Sequence, residues 1–294
     1  MHDYSLLAAH VEMLAQEVRE DTSRIAEFER QNGFEERFLD YYNSYLAGER
    51  RATRTLNAAV ARRRPILEFV RRLKERFGPE PVVLDIGCRY GNDSFLMAQL
   101  GCRVIGVERE PDTVEVARHR VEYWREHFTS TVAPEFVVGY LEDIGSFAGE
   151  EFHGVFAAEC LHHCEPVENV LLAARRLIHD RGIACVLESN AANPAVVYKR
   201  NQIVKGTPRR RLWQDGDVFR IWGNENIRWS GQWSRIFRDC GFEITRQIFS
   251  RHLLSELTAD HKADQMLCRL PGARFASIHV AYELAPVELG PADW

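Results

Sequence analysis

The sequence lacks three features that would assign it at once to a membrane, nucleic-acid-binding or secreted class. No apolar run reaches about 18 residues in the 294-residue chain, so we expect no transmembrane helix. Basic residues do not exceed acidic ones, and the net charge of -5 leads us to expect no nucleic-acid partner. The segment MHDYSLLAAH has neither the basic start nor the apolar stretch of a secretory signal, which favours the cytoplasm.

Regularly spaced cysteines are missing as well. The seven cysteines include no C-x-x-C pair and no repeated spacing. Isolated cysteines in apolar or helical segments are usually buried free thiols, and a structural zinc site would need paired ligands. We therefore predict no metal site. The predicted buried thiols are Cys102, Cys160, Cys185, Cys240 and Cys268.

Glycine and proline are scarce in the first 77 residues, where apolar residues recur at helical spacing. Leu7, Val11 and Leu14 are examples of this pattern. It predicts a helical N-terminal extension over residues 1–77. Its last part, residues 50–77, carries many arginines, which indicate either a solvated helix face or a surface for an anionic partner.

From residue 78 onward, short apolar runs alternate with helical stretches, and Gly78 and Pro79 mark the change. Strands alternating with helices favour an α/β domain with a parallel sheet and crossover helices. We predict such a domain over residues 78–294, with seven strands and the last strand antiparallel beside the sixth. The predicted strands are 82–86, 104–107, 136–138, 154–158, 183–187, 242–249 and 275–282.

The strongest chemical signal is the segment VVLDIGCRYGNDS, in which an apolar strand runs into a turn and then a helix. Gly87 and Gly91 allow unusual backbone dihedrals and a close approach to a ligand, and the helix offers free N–H groups. Glu108 ends the next strand, twenty-one residues after Gly87. A carboxylate there can accept both hydroxyls of a ribose, so the pair predicts a nucleotide-like cofactor.

The glycine spacing distinguishes between cofactors. A dinucleotide site usually has G-x-G-x-x-G, whereas here Gly91 follows Gly87 by four residues, which argues against a nicotinamide-dependent oxidoreductase. With Asp85 before it, the turn resembles the D-x-G-C-x-x-G turn of class I S-adenosylmethionine-dependent methyltransferases. The resemblance covers about residues 80–190. One departure is Arg89, which stands where many members of that class have a glycine.

The resemblance implies a Rossmann-like fold with helices on both faces of the sheet, and S-adenosylmethionine as cofactor. In similar enzymes an acidic residue after the third strand meets the adenine amino group, and Asp143 is the candidate; the alternative is a loop aspartate that caps a turn. The full set of implied cofactor-binding residues is Asp85, Gly87, Cys88, Gly91, Glu108, Arg109, Glu142, Asp143 and Glu159.

Two adjacent histidines follow the predicted fourth strand. The resemblance implies that His162 and His163 border both cofactor and acceptor. A histidine can take a proton near neutral pH, so His163 is the candidate catalytic base, whereas His162 is better suited to a cofactor-side or structural role. The methyl donor is already activated, so holding the reactants in line can also suffice.

The acceptor site is expected where the chain exceeds the minimal fold. Residues 190–230 form an insertion between the fifth and sixth strands, and we predict that they meet the N-terminal helices above the exit of the fourth strand. Residues 1–45 would act as a lid, while the cofactor site rests on residues 84–143. The alternative is a surface subdomain whose tryptophans only pack. The candidate acceptor-binding residues are Tyr41, Tyr42, Asn190, Tyr198, Arg200, Trp213 and Trp222.

These features together predict a methyltransferase that acts on an oxygen or nitrogen atom of a small molecule, such as a secondary metabolite, sugar or lipid precursor. The large additions favour an enclosed pocket over a flat macromolecular surface. The alternative is a macromolecule-binding or RNA-modifying protein on the same scaffold, which would use the arginines of residues 50–77.

Overall fold

The computed structural model describes residues 4–34, 38, 49–127, 132–140, 151–199, 211–215, 218–222, 226–252, 266–267 and 269–287. For residues 4, 22, 49–57, 211–215, 218–222, 252 and 273 it describes the backbone alone. The helices are α1 (Tyr4–Gln31), α2 (Glu49–Phe77), α3 (Asn92–Gln99), α4 (Pro111–His127), α5 (Val167–Leu177), α6 (Ser230–Asp239) and α7 (Ala273–Ala276), with a 3₁₀ helix at Leu161–His163. The strands are β1 (Val82–Ile86), β2 (Arg103–Glu108), β3 (Glu135–Val138), β4 (Phe152–Ala158), β5 (Ile178–Ser189), β6 (Arg211–Asp215), β7 (Val218–Trp222), β8 (Phe242–His252) and β9 (Ser277–Pro286).

The main sheet has seven strands in the order β3-β2-β1-β4-β5-β9-β8. Strand β9 is antiparallel to both of its neighbours, and the other pairs are parallel. The predicted architecture, with the last strand inserted antiparallel beside the sixth strand of the sheet, is confirmed. The last strand begins at Ser277 rather than at Phe275, because residues 273–276 form a helical turn.

A separate hairpin lies within the 190–230 insertion. Strands β6 and β7 pair with each other antiparallel and form a two-stranded sheet of their own. We did not predict these two strands, although Gly216 and Asp217 between two strand-forming runs are a hairpin signal in the sequence. The insertion therefore adds structure beside the main sheet without extending it.

The sheet is covered on both faces, which explains why its central strands are almost continuously apolar. In β1, Val83 belongs to the core cluster formed with α2 and α3, whereas Leu84 belongs to the cluster formed with α5 and α6. Gly154 of β4 allows α2 to approach closely, since a Cβ atom there would lie 2.6 Å from Leu73 Cδ1. Helix α2 is thus a layer of the α/β domain, although the sequence suggested that it belonged to a separate extension.

The arginine side chains of α2 that the structure describes are engaged by carboxylates or carbonyls of the protein. Arg62 and Arg63 both bind Asp93, and Arg64 donates to the carbonyl of Phe249 at 2.6 Å. Further along the helix the pairs are Arg71 with Glu68 and Glu75, Arg72 with Glu283, and Arg76 with the carbonyl of Arg181. These side chains join α2 to α3 and to the sheet, and Arg71 forms ion pairs within α2.

The sequence also led us to expect no transmembrane helix and several buried free thiols. Within the described part of the chain, no helix combines the length and the apolarity that crossing a bilayer requires. The predicted thiols at Cys102, Cys160, Cys185 and Cys240 are buried and free, whereas Cys268 lies outside the described residues.

Candidate active site

The turn between β1 and α3 requires glycine at two positions. Gly87 has φ +69°, and a Cβ atom there would lie 2.6 Å from Cys160 Cβ. Gly91 has φ +81°, and its Cβ atom would lie 2.3 Å from Phe136 Cζ. Both the left-handed backbone and the close packing exclude a larger residue. The predicted glycine turn is therefore present at the carboxyl end of β1, and it leads into the N-terminus of α3.

Arg89 occupies the third position of this turn with left-handed dihedrals, at φ +52°. This conformation costs a non-glycine residue about 1–2 kcal/mol, which explains why glycine is common there in the class that the turn resembles. The backbone N–H of Arg89 donates to Glu108 Oε2 at 3.2 Å. The turn thus keeps the conformation of a glycine-containing loop, with Glu108 helping to hold it.

Glu108 lies at the end of β2 with its carboxylate directed towards the turn. Its Oε1 accepts hydrogen bonds from the backbone N–H groups of Arg109 at 2.7 Å and Glu110 at 3.2 Å. Together with the contact from Arg89, these bonds fix the carboxylate in one orientation. An oriented and half-buried carboxylate beside a glycine turn suits the recognition of a ribose diol.

Asp85 lies behind the turn and is fully enclosed, with 2% of its surface exposed. Its Oδ2 accepts a hydrogen bond from Ser94 Oγ at 2.5 Å, and burial raises the pKa of its carboxyl group to about 8. Cys88 is buried beside it and packs against Gly106, where a Cβ atom would lie 2.9 Å from Cys88 Sγ. Asp85 and Cys88 therefore pack against the turn from the protein interior. Direct contact of either residue with a cofactor stays a prediction.

A second acidic residue stands in the first turn of α3. Burial alone would raise the pKa of Asp93, but Arg62 and Arg63 outweigh it and lower that pKa to about 2. Arg62 Nη1 lies 2.9 Å from Asp93 Oδ2, and Arg63 Nε lies 2.8 Å from Oδ1. This ion-pair cluster joins the N-terminal half of α2 to the helix that follows the glycine turn.

The exit of β4 carries the next predicted cofactor residue. Glu159 is left-handed at φ +54°, and its Oε1 accepts a hydrogen bond from Ser189 Oγ at 2.9 Å. Its Oε2 lies 3.7 Å from Nε2 of His279 on β9. The Glu159 carboxylate therefore links the ends of three strands at the same edge of the sheet as the glycine turn.

The two histidines that follow β4 differ in their surroundings. His162 is buried, and its Nδ1 lies 2.6 Å from Glu188 Oε2. Glu188 also accepts the backbone N–H of Leu161 at 2.9 Å, which fixes the carboxylate. His163 is half-buried, and its ring centroid lies 4.0 Å from that of His162. The structure thus gives His162 a fixed, internal position and leaves His163 as the more accessible ring.

The end of the 190–230 insertion lies beside His162, at the exit of β4. The backbone N–H of Asn226 donates to the carbonyl of His162 at 3.1 Å, and Arg228 Nη2 lies 2.5 Å from Glu165 Oε1. The start of the insertion is tied elsewhere: Asn190 Nδ2 donates to the carbonyls of Ser277 at 2.9 Å and Arg274 at 2.5 Å. Asn190 is therefore committed to backbone carbonyls of α7 and of the first residue of β9, which corrects its proposed role as an acceptor contact.

The remaining predicted residues divide into exposed and undescribed ones. Tyr198 is 68% exposed, which leaves its acceptor-binding role a prediction. The residues that lie outside the described part of the chain, or whose side chains do, are Tyr41, Tyr42, Glu142, Asp143, Arg200, Trp213 and Trp222. Among described residues, no group of three His, Cys, Asp or Glu side chains is arranged to hold a metal ion.

Four buried residues near this edge were missed by the sequence analysis. Glu188 holds His162, and three others lie side by side on neighbouring strands: Ser189 is paired in register with His279, and His279 with Ser250. Glu159, Ser189, His279 and Ser250 together form a row of polar side chains from the end of β4 across β5 and β9 to β8, which we call the polar row. Only the strand register brings these residues together, so no local pattern could have indicated them.

Comparison with known proteins shows what this fold and turn are similar to. Residues 84–186 match a family model described as a methyltransferase domain. The fold matches magnesium protoporphyrin IX methyltransferase from Synechocystis PCC 6803 with bound SAH, at TM-score 0.54 and 17% identity over 90% of this chain and 99% of that one. It also matches a S-adenosylmethionine-dependent methyltransferase from Clostridium acetobutylicum, at TM-score 0.53 and 8% identity over 86% and 98%. Residues 84–186 are thus similar to a methyltransferase domain, and the chain shares the Rossmann-like α/β fold of these structures.

Curated sequence relatives of this chain carry the name of a particular methyltransferase. The ubiquinone biosynthesis O-methyltransferase of Xanthomonas oryzae pv. oryzae (strain PXO99A) is 33% identical over 131 residues, which cover 43% of this chain and 52% of the relative. The protein of the same name from Azorhizobium caulinodans is 30% identical over 108 residues, which cover 37% and 40%. The chain thus spans about half the length, or less, of these two relatives.

Proposed function

We propose that this chain is an enzyme that transfers the methyl group of S-adenosylmethionine to an oxygen or nitrogen atom of a small-molecule acceptor. The observation that carries the proposal is the glycine turn with the oriented Glu108 carboxylate beside it. The family match over residues 84–186 and the O-methyltransferase relatives support the same reaction.

The residues at the turn fit S-adenosylmethionine. Gly87 is half-buried at the end of β1 and has no side chain to block a ligand there, and Glu108 provides a carboxylate for the ribose hydroxyls. Asp85, Asp143 and Glu159 remain proposed contacts of the amino-acid and adenine ends. When bound, S-adenosylmethionine supplies a methyl group that its positively charged sulfur already activates.

On the acceptor side, we propose that His163 accepts the proton of the nucleophile. Glu188 fixes His162, and the contact of the tilted His162 ring with His163 restricts the second ring. A half-buried imidazole at the exit of β4 can take a proton near neutral pH. If the bound nucleophile already lies in line with the methyl group, positioning contributes the remainder of the rate.

The polar row offers hydrogen bonds for an acceptor that bears hydroxyl or amine groups. Ser250 and His279 are buried, and neither Ser250 Oγ nor His279 Nδ1 has a hydrogen-bond partner among the described residues. Burial lowers the pKa of His279, so its ring is neutral and can donate from one nitrogen and accept at the other. Such a row favours a polar small molecule, such as a secondary metabolite, sugar or lipid precursor.

The alternative, RNA recognition through the arginines of α2, has less support. Arg62, Arg63, Arg64 and Arg72 are engaged by carboxylates or carbonyls of the protein itself. Phosphate binding by these side chains would have to break those contacts. The expectation that the chain has no nucleic-acid partner therefore stands as part of the proposal.

Transfer of a labelled methyl group tests the proposal. The protein is incubated with methyl-tritiated S-adenosylmethionine and a bacterial cell extract, which is then divided into small-molecule, protein and RNA fractions. We expect label in the small-molecule fraction, with no transfer by a Gly91→Ala variant. Label found only in RNA or protein would instead support the macromolecular alternative.

A further inference from the structure

A fully buried ion pair joins the N-terminal helix α1 to the domain. Arg120 of α4 and Glu17 of α1 both have no exposed surface. Arg120 Nε lies 2.8 Å from Glu17 Oε1, and Arg120 Nη2 lies 2.6 Å from Glu17 Oε2. The two-point contact fixes the guanidinium plane relative to α1.

The remaining nitrogen of the same guanidinium group reaches the glycine turn. Arg120 Nη1 donates to Asn92 Oδ1 at 2.9 Å and to the backbone carbonyl of Tyr90. Tyr90 follows the left-handed Arg89, and Asn92 is the first residue of α3. One side chain therefore connects α1 to the turn at the point where the backbone is strained.

The surroundings of this contact exclude water. The rings of Phe38 and Phe95 lie 5.1 and 5.3 Å from Arg120 Cζ, and Trp124 Nε1 donates to Glu17 Oε2 at 3.0 Å. Removing one partner of a buried ion pair leaves an uncompensated charge, so the arrangement has little freedom to adjust. A change in α1 is thereby transmitted to Arg120 and to the turn.

We propose that Arg120 is a positioning residue of the cofactor site, and that Glu17 makes α1 part of that site. A strained turn persists only when its surroundings hold it, and Arg120 supplies two hydrogen bonds to this one. The inference rests on the proposed binding of S-adenosylmethionine at the turn. It revises the sequence-based expectation that the cofactor site depends on residues 84–143 alone.

Three variants and one control separate positioning from general stability. Arg120→Lys keeps the charge but loses the planar set of donors, Glu17→Gln loses the charge of the partner, and Asn92→Ala removes one acceptor on the turn. The control is Arg72→Lys, because Arg72 pairs with the buried Glu283 on β9, beyond β5 in the sheet. S-Adenosylhomocysteine affinity is measured by titration calorimetry, and stability by urea unfolding.

We expect Arg120→Lys to weaken S-adenosylhomocysteine binding by about tenfold to a hundredfold, the equivalent of one or two lost charge-assisted hydrogen bonds. Glu17→Gln and Asn92→Ala should weaken it by smaller factors, whereas Arg72→Lys should lower stability and leave affinity unchanged. If Arg120→Lys does not fold, the Glu17→Gln and Asn92→Ala variants carry the test.

Hydrogen exchange on the unaltered protein provides a second readout. Addition of S-adenosylhomocysteine should slow exchange in α1 as well as in residues 87–95, because the turn and the helix share Arg120. Unaltered affinity in all three variants, or an equal loss in Arg72→Lys, would overturn the inference while wild-type binding still supported the proposed function. Absence of wild-type binding would reject the proposed function and this inference with it.

Discussion

The proposed cofactor side and the proposed acceptor side of this molecule are built in different ways. The cofactor side is formed within a short stretch, from Asp85 to Glu108, by one turn and the end of the next strand. The proposed acceptor side collects residues that are far apart in the sequence, such as His163, Ser250 and His279. A turn motif carries its own geometry, whereas a site assembled by strand register depends on the whole sheet.

The largest effect is expected at the turn. Gly91→Ala forces a Cβ atom to within 2.3 Å of Phe136 Cζ at φ +81°. Left-handed strain and overpacking together should cost about 2–5 kcal/mol of unfolding free energy. Binding of S-adenosylhomocysteine should be abolished in calorimetry. Gly272→Ala is the matched control, because Gly272 has φ +86° and open space around it, so it should cost only about 1–2 kcal/mol.

On the acceptor side, His163→Ala should lower the rate of methyl transfer and leave cofactor affinity unchanged. Loss of a general base typically slows the reaction by about 10²–10⁴-fold, and cofactor affinity should stay the same because the turn is untouched. Single-turnover methyl transfer, measured beside calorimetry, separates the two effects. His179→Ala, a half-buried histidine at the opposite end of β5, should change neither. Wild-type turnover in His163→Ala would leave positioning as the mechanism.

On the cofactor side, Glu108→Ala should weaken S-adenosylhomocysteine binding by about 1.5–3 kcal/mol, the value of a lost charge-assisted hydrogen bond. The Arg89 backbone would also lose its acceptor, so part of the effect comes from the turn. Glu110→Ala, two residues further on, is the control. Calorimetry that finds the same affinity in Glu108→Ala and wild type would reject the assignment of Glu108.

The effect that is least localised to the site concerns the pH dependence of stability. Burial raises the pKa of Asp85 to about 8, so the folded state holds a proton that the unfolded state has already released at neutral pH. Stability from this group is complete at low pH and is lost between about pH 4 and 8, with a slope of at most about 1.4 kcal/mol per pH unit. Urea unfolding of Asp85→Asn across this range should therefore show a smaller loss on raising the pH than wild type shows. Parallel curves for the two proteins would contradict the assigned shift.

Much of the fold was predictable because its signals are local. Strands β1, β2, β4 and β5 are apolar runs, since both of their faces are covered, and glycines mark the turn. The position of α2 was not predictable, because a helix with an apolar stripe looks the same whether it covers a sheet or forms a lid. Gly154, which lets α2 approach, reads in the sequence as an ordinary strand residue.

In the candidate site, too, local sequence signals were predictive and contacts between distant strands were not. The glycine turn was predictable because it depends on neighbouring residues, whereas the ribose-binding role of Glu108 stays a prediction. Glu188 and His279 were missed, since their role arises only when distant strands are paired. Asn190 was assigned to the acceptor, although its side chain binds the backbone at the start of β9.

Titration of the purified protein with S-adenosylhomocysteine tests the central claim most directly. We predict one-to-one binding in the micromolar range, which S-adenosylmethionine displaces and nicotinamide dinucleotides do not. Gly91→Ala should abolish this binding, because the turn can no longer form. An absence of binding by the wild-type protein, or equal binding by Gly91→Ala, would contradict the assignment of the turn as the cofactor site.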